Sequence, residues 1–252
     1  MVTKSSVDLE SRRQALTDLL SVDGALRIED LADRFHVSTM TIRRDLQALE
    51  DQGVVRRVRG GAVSGAEPFE ARERRAGAAK EVIARKLSPL VPSGGVGICM
   101  DASSTISALA RSLPHSENLS VITDGVETFL TLTRDSRIHA YLTGGQKDPN
   151  AGSLIGPVAT STLRQFSFAR AFLSAAAIDA RFGTSEFSAE ECEVKKLMAQ
   201  LSDHVVLAAH SKKFETGSAA RCLTWENIDL LVTELETTDP RLDQYRDLVE
   251  IL

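Results

Sequence analysis

One segment, residues 29–53, constrains the fold more than any other part of the chain. Its apolar spacing predicts a short helix over about 29–35, and then a longer helix over about 39–52 that ends at Gly53. Only three residues separate the two helices, and the last of them, Ser38, can cap the second helix with its hydroxyl. Two helices joined by so short a turn predict a helix-turn-helix arrangement.

The second of these helices has one apolar face and one cationic face. The apolar face, which we expect to pack on the core, contains Ile42, Leu46 and Leu49. At about 100° per residue, the outward face carries Met40, Arg43, Arg44 and Gln47. A helix with arginines outward suits the major groove of duplex DNA, because arginine pairs with phosphate and with a guanine edge. The alternative is a solvated helix face that happens to carry two arginines.

A basic hairpin and a preceding helix complete the predicted DNA-binding unit. Residues 54–63 alternate loosely and turn at Gly60-Gly61, which predicts a β-hairpin, or wing. A first helix is predicted over about 8–20, and its Arg12 and Arg13 are interpreted as surface or phosphate contacts. The candidate DNA-contacting residues are Ser38, Thr39, Met40, Thr41, Arg43, Arg44, Gln47, Arg56, Arg57 and Arg59.

The charge distribution agrees with one local DNA-binding face. The whole chain has a net charge of −5, which argues against a protein that is basic throughout. Between Arg34 and Arg59, however, six arginines stand against three acidic residues. The amino-terminal third has few aromatic residues, so stacking on single-stranded nucleic acid is not expected.

The 252 residues exceed one typical core, and the composition changes near residue 64. We predict a DNA-binding domain over 1–63, a linker over 64–75, an α/β domain over 76–236, and a short amphipathic helix or tail over 237–252. The chain has no apolar run of about 18 residues, no signal-peptide pattern and no cysteine or histidine metal motif. We therefore expect a cytoplasmic protein without a membrane span, a metal or a cofactor.

The predicted α/β domain places polar residues directly after its apolar strands. The run 96–100 ends in Asp101 and is followed by Ser103, Ser104, Thr105 and a helix. A strand, a small-residue loop and a helix start form an anion site, because free amides point at the ligand. An ordinary helix cap is the alternative.

Later strands repeat this arrangement. Asp124 follows an apolar run, Gly144 and Gly145 end another, and Lys212 and Lys213 follow a third. Lys195 lies on a helix. Parallel sheets bind small molecules at the carboxyl ends of their strands, so these residues are candidate ligand groups. The alternatives are a tight turn for the two glycines and a solvated side chain for Lys195.

The quoted motifs resemble the DeoR family of bacterial transcription regulators. The resemblance rests on Ser11-Arg12-Arg13-Gln14, on the run from Leu31 to Glu50 with Val37-Ser38-Thr39-Met40-Thr41-Ile42-Arg43-Arg44-Asp45-Leu46, and on Arg59-Gly60-Gly61-Ala62. It implies a winged helix-turn-helix with an α/β, Rossmann-like sensor domain similar to phosphosugar isomerases and coenzyme A transferases. It also implies repression of sugar-related operons under control of a phosphorylated sugar, and it extends almost to Glu234.

Several positions depart from the family pattern, and three of them, Ser103, Asp124 and Ala209, bear on the ligand. Where the family has Asp-Ser-Gly-Thr-Thr, this chain has Asp101-Ala102-Ser103-Ser104-Thr105, and Asp124 and Ala209 replace an asparagine and an acid. Loss of the glycine restricts close approach of a phosphate, and Asp124 repels phosphate unless it binds sugar hydroxyls. We therefore predict a divergent effector or weak effector binding. The resemblance aligns Lys212 with the family lysine, with Lys213 as the alternative.

The predicted function is sequence-specific binding of duplex operator DNA by a homo-oligomeric repressor with a phosphosugar effector. An alternative is a cytoplasmic sugar-phosphate isomerase, for which Asp101, Asp124 and Glu193 are candidate bases by type only. Further alternatives are an activator and a regulator that has lost effector control. We expect no catalytic residues.

Overall fold

The computed structural model describes residues 4–23, 25–51, 55–58, 60–64, 69–93, 95–113, 118–148, 152–215, 217–218 and 220–252. The chain divides into two compact units, residues 1–68 and residues 69–252. Each unit has its own hydrophobic core among these residues.

The amino-terminal unit contains three helices and a small antiparallel sheet in its described residues. In chain order the elements are α1 (Lys4–Asp23), β1 (Ala25–Arg27), α2 (Ile28–Phe35), α3 (Thr39–Asp51), β2 (Val55–Val58) and β3 (Gly61–Ser64). The sheet order is β1-β3-β2, so the predicted hairpin is confirmed and β1 adds a strand that the sequence pattern did not predict. Helix α1 is longer than the predicted range of 8–20.

The core of this unit holds α3 against the other two helices. Ile42, Leu46 and Leu49 are buried, which confirms the predicted apolar face of α3. Leu16 of α1 and Leu31 of α2 are buried in the same cluster. The apolar contacts therefore fix which face of α3 is turned outward.

The carboxy-terminal unit is an α/β fold. Its helices are α4 (Phe69–Arg74), α5 (Gly77–Leu87), α6 (Ser104–Arg111), α7 (Val126–Leu132), α8 (Pro157–Leu163) and α9 (Ala189–Gln200). The strands are β4 (Gly97–Met100), β5 (Leu119–Thr123), β6 (Ile138–Leu142), β7 (Gln146–Lys147), β8 (Leu154–Ile155), β9 (Arg170–Leu173), β10 (Ala177–Asp179), β11 (Gly183–Glu186), β12 (Val205–Ala208), β13 (Ala220–Arg221), β14 (Leu230–Val232) and β15 (Glu250–Ile251). Short 3-10 helices span Ser88–Leu90, Ser211–Lys213, Trp225–Asn227 and Pro240–Tyr245.

The main sheet positions the candidate ligand groups. Its seven strands are all parallel, in the order β15-β14-β12-β9-β4-β5-β6. Strand order reverses between β4 and β9, and open parallel sheets bind ligands at the carboxyl ends of the strands beside such a reversal. The loops that follow four of these strands, β4, β5, β9 and β12, therefore meet at the carboxyl ends of the strands. Below, the edge of the sensor sheet means this carboxyl-terminal side of the strands.

The predicted amphipathic helix near the carboxyl end is wrong. Residues 240–245 form a 3-10 helix, and β15 then pairs in parallel with β14. Leu242 and Tyr245 are buried, whereas Leu248 is exposed. Pairing with β14 satisfies the backbone hydrogen-bonding groups of these residues, and this outweighs the helical spacing of the apolar side chains.

Candidate functional site

The outward face of α3 carries the predicted recognition side chains. Thr39, Met40, Arg43, Arg44 and Gln47 are all exposed, while the buried side of the helix packs on the core. Met40 is 56% exposed, which is high for a large apolar side chain. The exposure of these residues leaves them available to a macromolecular surface.

The turn before α3 is fixed by local hydrogen bonds. The backbone N–H of Thr41 donates to Ser38 Oγ at 3.1 Å, so Ser38 caps the helix as the sequence predicts. The Ser38 and Thr41 hydroxyls are also hydrogen-bonded to each other, at 2.9 Å. Helix α2 ends at His36, whose φ of 51° allows a sharp change of direction.

A buried carboxylate anchors α3 to α1. Asp45 is only 1% exposed, and its oxygens lie 2.7 Å from Arg12 Nε and 3.2 Å from Arg13 Nε. Asp45 thus holds both guanidinium groups, which remain partly exposed, and the interpretation of these arginines as surface or phosphate contacts stays a prediction. Sequence reasoning missed Asp45, although its position beside Leu46 on the inner face of α3 is the available signal.

The wing is joined directly to the recognition helix. The Arg57 guanidinium donates a hydrogen bond to Gln47 Oε1, and the Arg57 backbone N–H donates to Glu50 Oε1 at 2.7 Å. Glu50 was also missed by the sequence analysis. Arg56 pairs with Val63 through the backbone of the hairpin, and Arg59 lies outside the described residues.

In the second unit, Asp101 connects the ends of two neighbouring strands. Its side chain is fully buried directly after β4. One oxygen accepts the Ser103 N–H at 3.0 Å, and the other accepts the Ser174 N–H, just after β9, at 2.7 Å. With both oxygens engaged in this way, Asp101 shapes the edge of the sheet.

Lys195, a candidate ligand group, lies at the centre of a buried ion-pair cluster, so the alternative of a solvated side chain is wrong. Its Nζ is 2.7 Å from Glu186, 3.2 Å from Asp101 and 3.8 Å from Glu191. It also donates to the Ser174 carbonyl oxygen at 2.8 Å. Burial by itself lowers the pKa of Lys195, but the three carboxylates raise it well above its ordinary value, so the ammonium stays charged.

Asp124, directly after β5, is buried without a counter-ion of its own. Neither of its carboxyl oxygens has a hydrogen-bond partner among the described residues. Burial and the neighbouring Asp101 raise the pKa of Asp124 well above its ordinary value, and Lys195 only partly opposes them. Three further buried hydroxyls share this lack of a partner within the described part of the chain, those of Thr105, Thr128 and Ser153.

The three hydroxyl residues that follow β4 differ in their hydrogen bonds. Ser103 Oγ accepts the Ile106 N–H at 3.1 Å, so Ser103 is a helix cap. Ser104 Oγ accepts a 3.0 Å hydrogen bond from Lys80 Nζ. The buried Thr105 hydroxyl is thus left as the ligand candidate of this loop, together with the backbone.

A cationic group faces the same edge. Lys213 Nζ lies 2.9 Å from Ser174 Oγ, whereas Lys212 is exposed, so the structure favours Lys213 over Lys212 as the inward-facing lysine. Burial lowers the pKa of Lys213 to about 7. Burial also lowers the pKa of His210 to about 3, with the Lys213 charge opposing its protonation further. Lys80, on α5, and His210 are also buried, and no sequence pattern predicted a role for either.

The two glycines after β6 are explained by the backbone. Gly144 and Gly145 have φ values of 71° and 117°, which favour glycine. A Cβ on Gly145 would lie 2.6 Å from the Ile155 carbonyl oxygen. This close approach of β8 supports the tight-turn alternative for the pair. Of the candidate isomerase bases, Glu193 is exposed, so it does not join the buried cluster of Asp101 and Asp124.

Within the described ranges, no helix is both long and apolar enough to cross a membrane. Among the same residues, no group of histidine, cysteine, aspartate or glutamate side chains has the arrangement of a metal site.

A winged helix-turn-helix with an outward cationic helix, followed by a Rossmann-like α/β unit with a buried polar edge, defines a transcriptional regulator with a sensor domain. The chain matches the family model of the DeoR-like helix-turn-helix domain over residues 12–67. It matches the DeoR C terminal sensor domain over residues 75–235. The chain belongs to the DeoR family.

Individual relatives agree with this assignment. HTH-type transcriptional regulator GolR of Listeria innocua is 32% identical over 241 residues, which are 94% of each chain. The glycerol-3-phosphate regulon repressor of Escherichia coli is 28% identical over 227 residues, 88% of this chain and 90% of that protein. These relatives are regulators, and the present chain is a DNA-binding regulator rather than an enzyme.

A solved enzyme structure also aligns with part of the chain. Ribose 5-phosphate isomerase A of Neisseria gonorrhoeae aligns with a TM-score of 0.37 and 16% identity, over 54% of this chain and 53% of that chain.

Proposed function

We propose that this protein represses a carbohydrate-related operon by binding its operator through the outward face of α3, and that a phosphorylated, polyhydroxylated metabolite at the edge of the sensor sheet changes this affinity. The observation that carries the proposal is the buried edge itself. It combines the cationic side chains of Lys80 and Lys213 with hydroxyl and carboxyl groups that have no partner in the described structure.

The DNA half of the proposal rests on α3 and the wing. Arg43, Arg44 and Gln47 are exposed on one helix face, as a major-groove reader requires. Arg57, already in contact with Gln47, places a cation beside that face for a phosphate. One helix reads only a few base pairs, so we propose that two or more copies of the chain bind repeated half-sites.

The effector half of the proposal rests on two kinds of side chain at the edge of the sensor sheet, cationic groups and hydroxyl groups. Lys213, which is hydrogen-bonded to Ser174, supplies a charge-assisted donor for a phosphate. The Lys80 ammonium donates to the Arg72 and Arg75 carbonyl oxygens and to Ser104, so Lys80 contributes positive charge rather than a further donor. Thr105, Thr128 and Ser153 supply hydroxyls that donate to, or accept from, sugar hydroxyls. The Escherichia coli relative is named for glycerol-3-phosphate, a phosphorylated polyol, and this name supports the same ligand class.

We infer repression from the name of the Escherichia coli relative. We infer control of operator binding by the effector from thermodynamic linkage. A ligand that binds two arrangements of the chain unequally shifts the population between them. If only one arrangement binds the operator well, the ligand changes operator affinity by the same coupling free energy. We propose that the phosphorylated effector releases the operator.

Fluorescence anisotropy on duplexes from the upstream region of the protein's own gene tests both halves. The full chain is titrated at two salt concentrations, with and without a panel of sugar phosphates and their unphosphorylated sugars. We expect saturable, sequence-selective binding that one phosphorylated compound weakens and its unphosphorylated form does not. Binding that no phosphorylated compound changes would contradict the effector half, and absence of selective binding would contradict the DNA half.

A pair of adjacent lysines provides the matched control. Lys213→Met is expected to abolish the effector response while leaving operator binding intact, because Lys213 faces the buried edge. Lys212→Met removes the same charge from an exposed position and is expected to retain the response. Equal responses in the two variants would show that the phosphate is bound elsewhere.

A further inference from the structure

We propose that Asp124 selects an effector that carries an ammonium group in addition to its phosphate, so that the preferred ligand is a phosphorylated amino sugar or a similar amine. This inference rests on the proposed function, because it names the ligand class of the same sensor edge. It concerns a residue whose chemistry the proposed phosphate site does not use.

The first argument is the balance of charge in the buried cluster. Asp101, Glu186 and Glu191 all surround the single ammonium of Lys195, at distances of 3.2, 2.7 and 3.8 Å. Asp124 is a fourth buried carboxyl group on the same edge. The other cation that acts on this cluster is Lys213, which interacts with Glu186 and Asp101 and whose pKa burial lowers to about 7. Four buried carboxyl groups therefore share two ammonium groups, one of which is easily lost.

The second argument is the geometry around Asp124. Its backbone carbonyl accepts the Leu154 N–H at 2.8 Å, and the next residue, Gly125, forms an isolated bridge with Ser153. A Cβ on Gly125 would meet the Thr128 hydroxyl at 3.1 Å. The backbone at Asp124 is thus held by β8 and is adjacent to two hydroxyl residues that lack partners in the described structure, while its own carboxyl group remains unpartnered.

The third argument is the cost of a buried carboxyl without a partner. Such a group either takes up a proton or requires a cation, because an isolated buried carboxylate is strongly disfavoured. Burial and the carboxyl groups of Asp101 and Glu191 raise the pKa of Asp124, and Lys195 opposes them, so Asp124 is protonated in the unliganded protein. A ligand hydroxyl adds a hydrogen bond but no charge, whereas a ligand ammonium supplies the missing counter-charge.

The test compares matched ligand pairs that differ only in an amine in place of a hydroxyl. Calorimetric titration of the full chain uses glucosamine 6-phosphate against glucose 6-phosphate, and galactosamine 6-phosphate against galactose 6-phosphate. The variants are Asp124→Asn, which keeps the shape of the side chain, and the control Asp203→Asn, which changes an exposed acid of the same unit. Thermal unfolding verifies that each variant is folded.

We expect the wild type and Asp203→Asn to bind at least one amine about tenfold or more tightly than its hydroxyl partner. Asp124→Asn is expected to lose this preference while it retains affinity for the hydroxyl compound. Titration in two buffers of different ionisation enthalpy gives a second readout, because charging Asp124 on amine binding releases about one proton that the variant cannot release.

Each contrary result overturns a different statement. Equal or tighter binding of the hydroxyl compounds by the wild type, or an amine preference that survives in Asp124→Asn, would overturn the role of Asp124. Binding of only hydroxylated sugar phosphates from the operator panel would also overturn it and leave the proposed function standing. If no phosphorylated compound of either kind binds, the proposed effector function fails, and the amine inference fails with it.

Discussion

Lys195 Nζ lies 3.2 Å from Asp101 Oδ2, and this contact joins helix α9 to the end of strand β4. Asp101 also accepts the Ser174 N–H at 2.7 Å, so the end of β9 is part of the same arrangement. Three separate elements are thus held together around two buried charges. Both residues are candidate ligand groups by sequence, yet their contacts show that they build the edge of the sheet on which other side chains lie.

Removal of Lys195 is expected to destabilise the carboxy-terminal unit severely. Lys195→Ala leaves three buried carboxyl groups without their counter-charge, a change that costs roughly 3–5 kcal/mol for a buried pair. Urea unfolding followed by circular dichroism measures the loss. Lys196→Ala is the control, because Lys196 is exposed on the same helix. Similar midpoints for the two variants would contradict the structural role of the cluster.

The pH dependence of stability is expected to change when Glu191 is replaced. Burial, together with Glu186, raises the pKa of Glu191 to about 8, although Lys195 opposes the change. Between about pH 4.5 and pH 8 the folded protein therefore holds a proton that the unfolded chain releases, so this group lowers stability as pH rises. Glu191→Gln should gain stability relative to wild type from pH 5 to pH 8.

Unfolding free energies at several pH values test this prediction. The exposed Glu193 provides the control position on the same helix, as Glu193→Gln. A difference between Glu191→Gln and wild type that does not grow with pH would contradict the raised pKa of Glu191.

Effector binding is expected to weaken above neutral pH through Lys213. Burial lowers the pKa of Lys213 to about 7, so its ammonium is lost in the free protein as pH rises above that value. A bound phosphate requires the charged form, and linkage then lowers affinity by up to about tenfold per pH unit. The affinity of an effector identified in the operator assay is measured between pH 7 and pH 9. The decrease of this affinity with pH should persist in Lys212→Met and should be absent in Lys213→Met.

Asp45 is expected to support operator binding without touching DNA. Asp45→Ala removes the anion that holds Arg12 and Arg13 against α3, at a cost of roughly 2–4 kcal/mol, because the two arginines are partly exposed. The free energy of unfolding of the amino-terminal unit should decrease, and operator affinity should decrease for all operator sequences alike. Asp33→Ala, at an exposed position on α2, should leave stability nearly unchanged.

The recognition helix and the wing are expected to respond differently to substitution. Arg44→Ala should cost about 1–3 kcal/mol and relax specificity at one base pair if Arg44 reads a base. Arg57→Ala should weaken binding to every sequence and reduce the salt dependence by about one charge. Anisotropy titrations on single-base operator variants distinguish these effects, with Arg134→Ala in the other unit as the charge control. Unchanged affinity in both variants would show that the interface lies elsewhere.

The local elements of the amino-terminal unit were predictable because their signals are local. The spacing of Ile42, Leu46 and Leu49 sets the buried face of α3, and the Ser38 hydroxyl reaches an amide only three residues away. The strand β1 was missed, since three residues carry little pattern and their pairing with β3 is a long-range event. The same limit applies to β15, where helical spacing competed with pairing to a distant strand.

The sequence by itself determined the fold class, the family and the candidate residues, because helical periodicity, capping and the positions of polar residues after strands depend on neighbours along the chain. Only the tertiary structure decided what each candidate does. Lys195 became part of a buried cluster, Lys213 rather than Lys212 faced inward, and Asp124 remained without a partner in the described residues. Burial and charge partners come from elements far apart in the chain, so no spacing rule contains them.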